Sequence, residues 1–69
     1  MKMKNVPDTL RARIEEKGMT IKATAEKAGL TQQALSAMLG YRQKITATAF
    51  VGLCAVLDLK PDDFIEQED

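Results

Sequence analysis

Between Thr20 and Leu39 the chain reads TIKATAEKAGLTQQALSAML, two short helical patterns that meet at a single glycine. In the first half Ile21, Thr24, Ala25 and Ala28 recur at i, i+3, i+4 and i+7, the spacing of one helix face. Thr20 stands where an N-cap belongs. Gly29 can enter the left-handed region without a Cβ penalty, so the first helix can stop there and the chain can turn sharply. Thr31 is placed to cap the second half. There Leu35, Met38 and Leu39 share a face, which leaves Gln32, Gln33, Ser36 and Ala37 on another. That polar face is where function is expected.

Composition removes several classes of function. A chain of 69 residues is one domain, and so short a domain buries only about 60% of the surface that it exposes unfolded. With 45% hydrophobic residues and no low-complexity run, it is globular in composition. Its apolar stretches fall far short of the roughly 20 residues that span a bilayer, and no charged-then-apolar segment opens it. A cytoplasmic protein is expected. Cys54 is the only cysteine, so neither an intrachain disulfide nor a multi-cysteine metal site can form. With no histidine, and Ser36 as the only serine, the parts for a Ser-His-Asp, Cys-His or His-ligated zinc site are missing. No enzymatic step, metal or cofactor is expected.

The formal net charge is zero, yet the charge is unevenly spread. Residues 1 to 44 hold nine of the ten basic groups against Asp8, Glu15, Glu16 and Glu26, a balance of plus five. Residues 45 to 69 hold Lys60 against six carboxylates, a balance of minus five. A neutral chain of this kind can still present a basic face, and that face would include the paired-helix stretch.

Outside that stretch, residues 1 to 6 carry Lys2 and Lys4 without a helix pattern, so a flexible arm is expected. A first helix is expected from Pro7 or Asp8 to Lys17, with proline and an acid at its start and Gly18 as its stop. Leu10 and Ile14 form its buried stripe, with Met19 beneath, and Arg11, Arg13 and Lys17 form a solvated face. Gly40 to Ile45 reads as a loop. Tyr41, Arg42 and Lys44 in it suit phosphate oxygens.

Thr46 is placed to cap a further helix that runs to about Leu57, with Phe50, Leu53, Cys54 and Leu57 as its core stripe. Ala47, Val51 and Ala55 make a second apolar stripe, and Ala49 and Val56 leave the helix apolar nearly all round. Such a helix is buried on more than one side, here against a second copy of the chain, with Ile65 as a further candidate contact. A last helix is expected from Pro61, with Asp62 and Asp63 in its first turn and Leu59 and Phe64 folded over the core. Gln67 to Asp69 are expected to fray.

The paired helices resemble the helix-turn-helix of the Cro and phage-repressor superfamily, the lambda-repressor-like or XRE-type regulators. The resemblance is carried by Ala25 in mid-helix, Gly29 four residues on and Leu35 six further. LRARIEEKGMT before the motif and LCAVLDLKPDDF after it match the opening and closing helices, so the likeness covers residues 8 to 66. It implies an all-α, compact bundle of about five short helices. Three positions depart from the pattern. Ile21 replaces the usual glutamine, whose amide holds a phosphate and braces a recognition-helix side chain. Thr24 and Ala28 replace larger aliphatics, which predicts a thinner core. Lys60 replaces the usual Ser or Thr cap of the last helix.

Sequence-specific binding of double-stranded DNA is the leading expectation, with residues 32 to 38 in the major groove. A glutamine amide both donates and accepts, so Gln32 or Gln33 can pair with adenine N6 and N7. Ser36 serves either polarity of partner, and Ala37 leaves room for a thymine methyl. Lys22, Thr31, Tyr41, Arg42 and Lys44 are the expected phosphate contacts. The resemblance implies a homodimeric transcriptional repressor of phage or prophage type, which reads two-fold related half-sites. The competing expectation is a protein-binding module, an antitoxin half or adaptor, that keeps the fold with little or no DNA affinity.

Overall fold

A computed structural model describes residues 2–66. The expected fraying of Gln67 to Asp69 lies outside the described residues, as does Met1. The order is β1 (Lys2–Met3), α1 (Val6–Glu16), α2 (Ile21–Ala28), α3 (Gln32–Leu39), α4 (Ala47–Leu57), a 3-10 turn (Pro61–Phe64) and β2 (Ile65–Glu66).

Side-chain oxygens start each α-helix. The Asn5 carboxamide accepts the Asp8 N–H at 3.1 Å, which moves the start of α1 ahead of the expected Pro7. Thr20, Thr31 and Thr46 accept from Ala23, Ala34 and Ala49 at 3.0, 3.0 and 3.1 Å. Each takes one of the N–H groups that a helix start leaves without a carbonyl. Gly29, with φ 75°, ends α2 in the left-handed region as expected, and the Leu30 N–H turns back to the Ala25 carbonyl at 2.8 Å.

The core is built from Leu10 and Ile14 of α1, Ala25 of α2, Leu35 and Leu39 of α3, and Leu53 and Leu57 of α4, closed by Leu59 and Phe64. Phe50 and Phe64 pack with ring centroids 5.0 Å apart and planes at 54°, a tilted pair of the favourable kind. Thr24 is fully buried, and its hydroxyl donates to the Thr20 carbonyl at 2.8 Å, so no polar group is left bare. The small residues of α2 bring α4 close: a Cβ on Gly52 would stand 3.1 Å from the Ala28 carbonyl oxygen. The contact between α2 and α4 is therefore a near approach of two backbones. It also turns the buried stripe of α4 toward Ala49, Leu53 and Leu57, with Phe50 and Cys54 half-buried.

One terminal expectation gives way. The expected fifth helix is a single 3-10 turn followed by extended chain. Lys60 has no side-chain acceptor with which to cap a helix. Instead the Asp63 carboxylate accepts the Lys60 N–H at 2.7 Å, closing one tight turn that buries Phe64. The chain then extends, so that Ile65 pairs with Met3 and Glu66 with Lys2 in an antiparallel ladder. The Lys4 N–H adds a bond of 2.6 Å to the Phe64 carbonyl. Lys2 and Met3 thus lie in this ladder, and Asn5 caps α1. The bundle has four α-helices among the described residues, not five. Among the described residues no helix is long and apolar enough to cross a membrane.

Candidate nucleic-acid interface

The sequence of α3 alternates what it buries and what it shows. Leu35, Met38 and Leu39 face the core, and the opposite side presents Gln32 and Gln33 exposed, with Ser36 and Ala37 half-buried. These four line one open concavity, and Arg42 completes its wall. The guanidinium Nη2 lies 3.4 Å from the Ser36 hydroxyl oxygen, a long contact that leaves most of the arginine's donors available. Among the described residues, no hydrogen bond holds the side-chain amide of Gln32 or Gln33.

The expected phosphate contacts surround this surface unequally. Lys22, Arg42 and Lys44 are exposed cations. Lys22 follows Ile21, which packs against the core in place of the amide that the motif usually carries. Thr31 holds the Ala34 N–H, which leaves its own hydroxyl proton to donate, beside the N–H groups of Gln32 and Gln33 at the helix start. The hydroxyl of Tyr41, expected to reach a phosphate, instead donates within the chain: it lies 2.6 Å from Asn5 Oδ1 and 2.8 Å from Asp8 Oδ1. The hydrogen bond to Asp8 raises the phenol above its ordinary value. Burial and the Asp8 charge add to the rise, while Asn5 and Arg11 oppose it.

Three residues of this region lay outside the sequence expectations. Arg11, read as part of a solvated face, sends Nη2 to the Leu39 carbonyl at 3.1 Å. Asn5 and Asp8 hold Tyr41. The available signal was their spacing: positions 5, 8 and 11 recur every three residues and share one side of α1. The expected dimer residues are arranged differently. Ala47, Val51 and Ala55 are exposed on α4, Val51 to 67%, whereas Ile65 is half-buried in β2.

A family model described as helix-turn-helix matches residues 10–64, nearly the whole described fold. The chain belongs to the XRE/Cro-like helix-turn-helix family. A helix-turn-helix protein of this type is a DNA-binding transcription regulator, and the family is not one of enzymes. No curated protein and no solved structure matches the chain. In this helix-turn-helix protein α2 and α3 form the motif, and Gly29 makes its turn.

Proposed function

We propose that the chain binds duplex DNA sequence-specifically as a cytoplasmic repressor of phage or prophage type, and that it acts as a homodimer. The observation that carries this reading is the shared surface of Gln32, Gln33, Ser36, Ala37 and Arg42 on and beside one exposed helix. The major groove admits a helix and offers each base pair a distinct set of donors and acceptors. Gln32 and Gln33 pair with adenine edges, Ser36 with either polarity, and Ala37 packs on a thymine methyl. Lys22, Thr31, Arg42 and Lys44 hold phosphates on either side. Tyr41 leaves this set, because its hydroxyl proton goes to Asn5 and Asp8.

One copy presents few base contacts. A two-fold pair, joined through Ala47, Val51 and Ala55 with Ile65 as a further contact, would read half-sites about one helical turn apart. The test is anisotropy of labelled genomic duplexes at about 50 and about 200 mM salt. A strong fall in affinity with salt supports DNA binding. Salt-independent absence of binding, together with a protein partner that co-purifies in fixed ratio, would replace it with the protein-binding module.

A further inference from the structure

The recognition helix ends on a residue that is unusual for its place. The Arg42 N–H reaches back to the Ala37 carbonyl at 2.9 Å, and the Tyr41 N–H reaches the Met38 carbonyl at 3.4 Å. This nested pair is the closure that a left-handed residue, ordinarily glycine, makes possible. Here the left-handed residue is Tyr41, with φ 64°. A side chain in that conformation carries a steric cost that glycine avoids. The chain uses Gly18 and Gly29 at the two earlier corners, so the choice of tyrosine calls for a compensating contact.

Burial is not that contact, since Tyr41 is 60% exposed. The hydroxyl is. It sits between Asn5 Oδ1 and Asp8 Oδ1 at the start of α1. One turn further along the same stripe, Arg11 donates to Leu39. That carbonyl is one of the last four of α3, which have no N–H partner within the helix, and the last turn of α3 has no basic residue to reach it. The other three final carbonyls of α3 are taken by Gly40, Tyr41 and Arg42 N–H groups, so Arg11 completes the set. Gly40 contributes space: a Cβ there would stand 3.2 Å from the Ser36 carbonyl oxygen and 3.5 Å from Arg42 Nε. The arginine therefore lies back over the corner toward Ser36.

We propose that Tyr41 is a positioning residue for DNA recognition: held by Asn5 and Asp8, and seconded by Arg11, it fixes the end of α3 and with it the pose in which Gln32, Gln33, Ser36 and Ala37 meet the bases, while Arg42 keeps its phosphate. The assignment rests on the reading of α3 as a DNA-recognition helix. It makes Asn5, Asp8 and Arg11 a brace across which α1 governs α3 without touching a base.

The test compares the full chain with Y41F, R11M and R11Q on a preferred duplex and on a scrambled one, at a temperature where circular dichroism shows each protein folded. Y41F removes only the hydroxyl, and R11Q keeps an N–H donor while losing the charge. The expected result is a fall of roughly tenfold in the preferred-to-scrambled affinity ratio for Y41F and R11M, the order of one misread base pair. The salt slope stays unchanged, and R11Q recovers most of the ratio. Equal losses on both duplexes with a shallower salt slope would make these residues phosphate contacts and overturn the proposal. An unchanged ratio with only a lower melting temperature would also overturn it.

A second readout needs no DNA. Tyr41 is the only tyrosine and tryptophan is absent, so phenolate absorbance reports this hydroxyl alone. It should titrate above the ordinary tyrosine value in the wild type and lower in D8N; equal titration curves would remove the tie. A wild type that prefers no duplex overturns the reading of α3 and this assignment together, whereas a selective wild type matched by equally selective Y41F and R11M overturns this assignment alone.

Discussion

Gly52 on α4 lies against Ala28 at the end of α2, with room for no more than a hydrogen between them: a Cβ there would stand 3.1 Å from the Ala28 carbonyl oxygen. Backbone, not a flexible side chain, fills the gap. Gly52→Val should therefore destabilise the fold by about 1 to 3 kcal/mol, the range for forcing extra carbon into a packed site. In a domain of this size each kcal/mol lowers the melting temperature by about 4 to 8 °C. Gly52→Ala should cost less, since alanine gains roughly 1 kcal/mol of helix propensity over glycine. Thermal unfolding followed by circular dichroism checks both, and a Gly52→Val protein as stable as the wild type would deny the close approach.

Gln33→Ala should lose about 1 to 3 kcal/mol on the preferred duplex and relax the choice of base at one position. Gln33 is exposed, so stability should hardly move. Competition binding against duplexes varied one base pair at a time provides the measurement. Equal weakening on every sequence would remove Gln33 from the base-reading set.

Lys22→Gln should weaken all duplexes alike and flatten the dependence of log affinity on log salt by about 0.9 for one lost phosphate contact. Lys22 stands next to Ile21, which cannot itself hold a phosphate, so the loss should be visible. Anisotropy titrations across a salt series measure it, and an unchanged slope would take Lys22 off the phosphate list.

The Lys17 ammonium lies 3.0 Å from an Asp58 carboxylate oxygen, and Asp58 is the other non-glycine residue at a left-handed corner, with φ 54°. The hydrogen bond from Lys17 and then its charge hold the Asp58 carboxyl below its ordinary value, with Arg13 assisting and burial opposing. A carboxyl whose native value is lowered contributes stability above its unfolded value, about pH 4, and loses it as pH falls through the native value. Lys17→Met should therefore be less stable than the wild type near neutral pH, and the gap should close in acid. The effect is small, as for exposed ion pairs generally. Urea midpoints at about pH 6 and about pH 2.5 test the sign; a gap that widens in acid would contradict it.

Val51→Asp should abolish the two-fold pair while leaving the monomer folded, because Val51 is exposed and outside the core. Sedimentation should show the wild type associating and the variant not, and affinity for a two-half-site duplex should fall far more than for a single half-site. A wild type that stays monomeric at high concentration would remove the dimer.

The helix starts were legible because capping is local. Thr20, Thr31 and Thr46 each sit three residues before the N–H that they accept, and Gly29 falls where α2 must turn. The exposed face of α3 was legible for the same reason, as Gln32, Gln33, Ser36 and Ala37 follow from the positions of Leu35, Met38 and Leu39. The last element was not. Pro61, Asp62 and Asp63 look like a helix start, but the extended course after Phe64 is set by pairing with Lys2 and Met3 from the other end of the chain. Such a partner leaves no mark in the local pattern. Arg42 was legible as a cation of the site, but its place beside Ser36 was not, because that place depends on a left-handed tyrosine, and the tyrosine on Asn5 and Asp8 at the start of another helix.

Selection of bound sequences from a random duplex pool by the wild-type chain, with Gln33→Ala run in parallel, decides whether α3 reads bases. The expected result is enrichment of two-fold related half-sites with centres about 10 base pairs apart, and relaxation of one position per half-site for the variant. A pool that emerges from repeated rounds without an enriched sequence, or that is enriched identically by both proteins, would contradict base reading by α3.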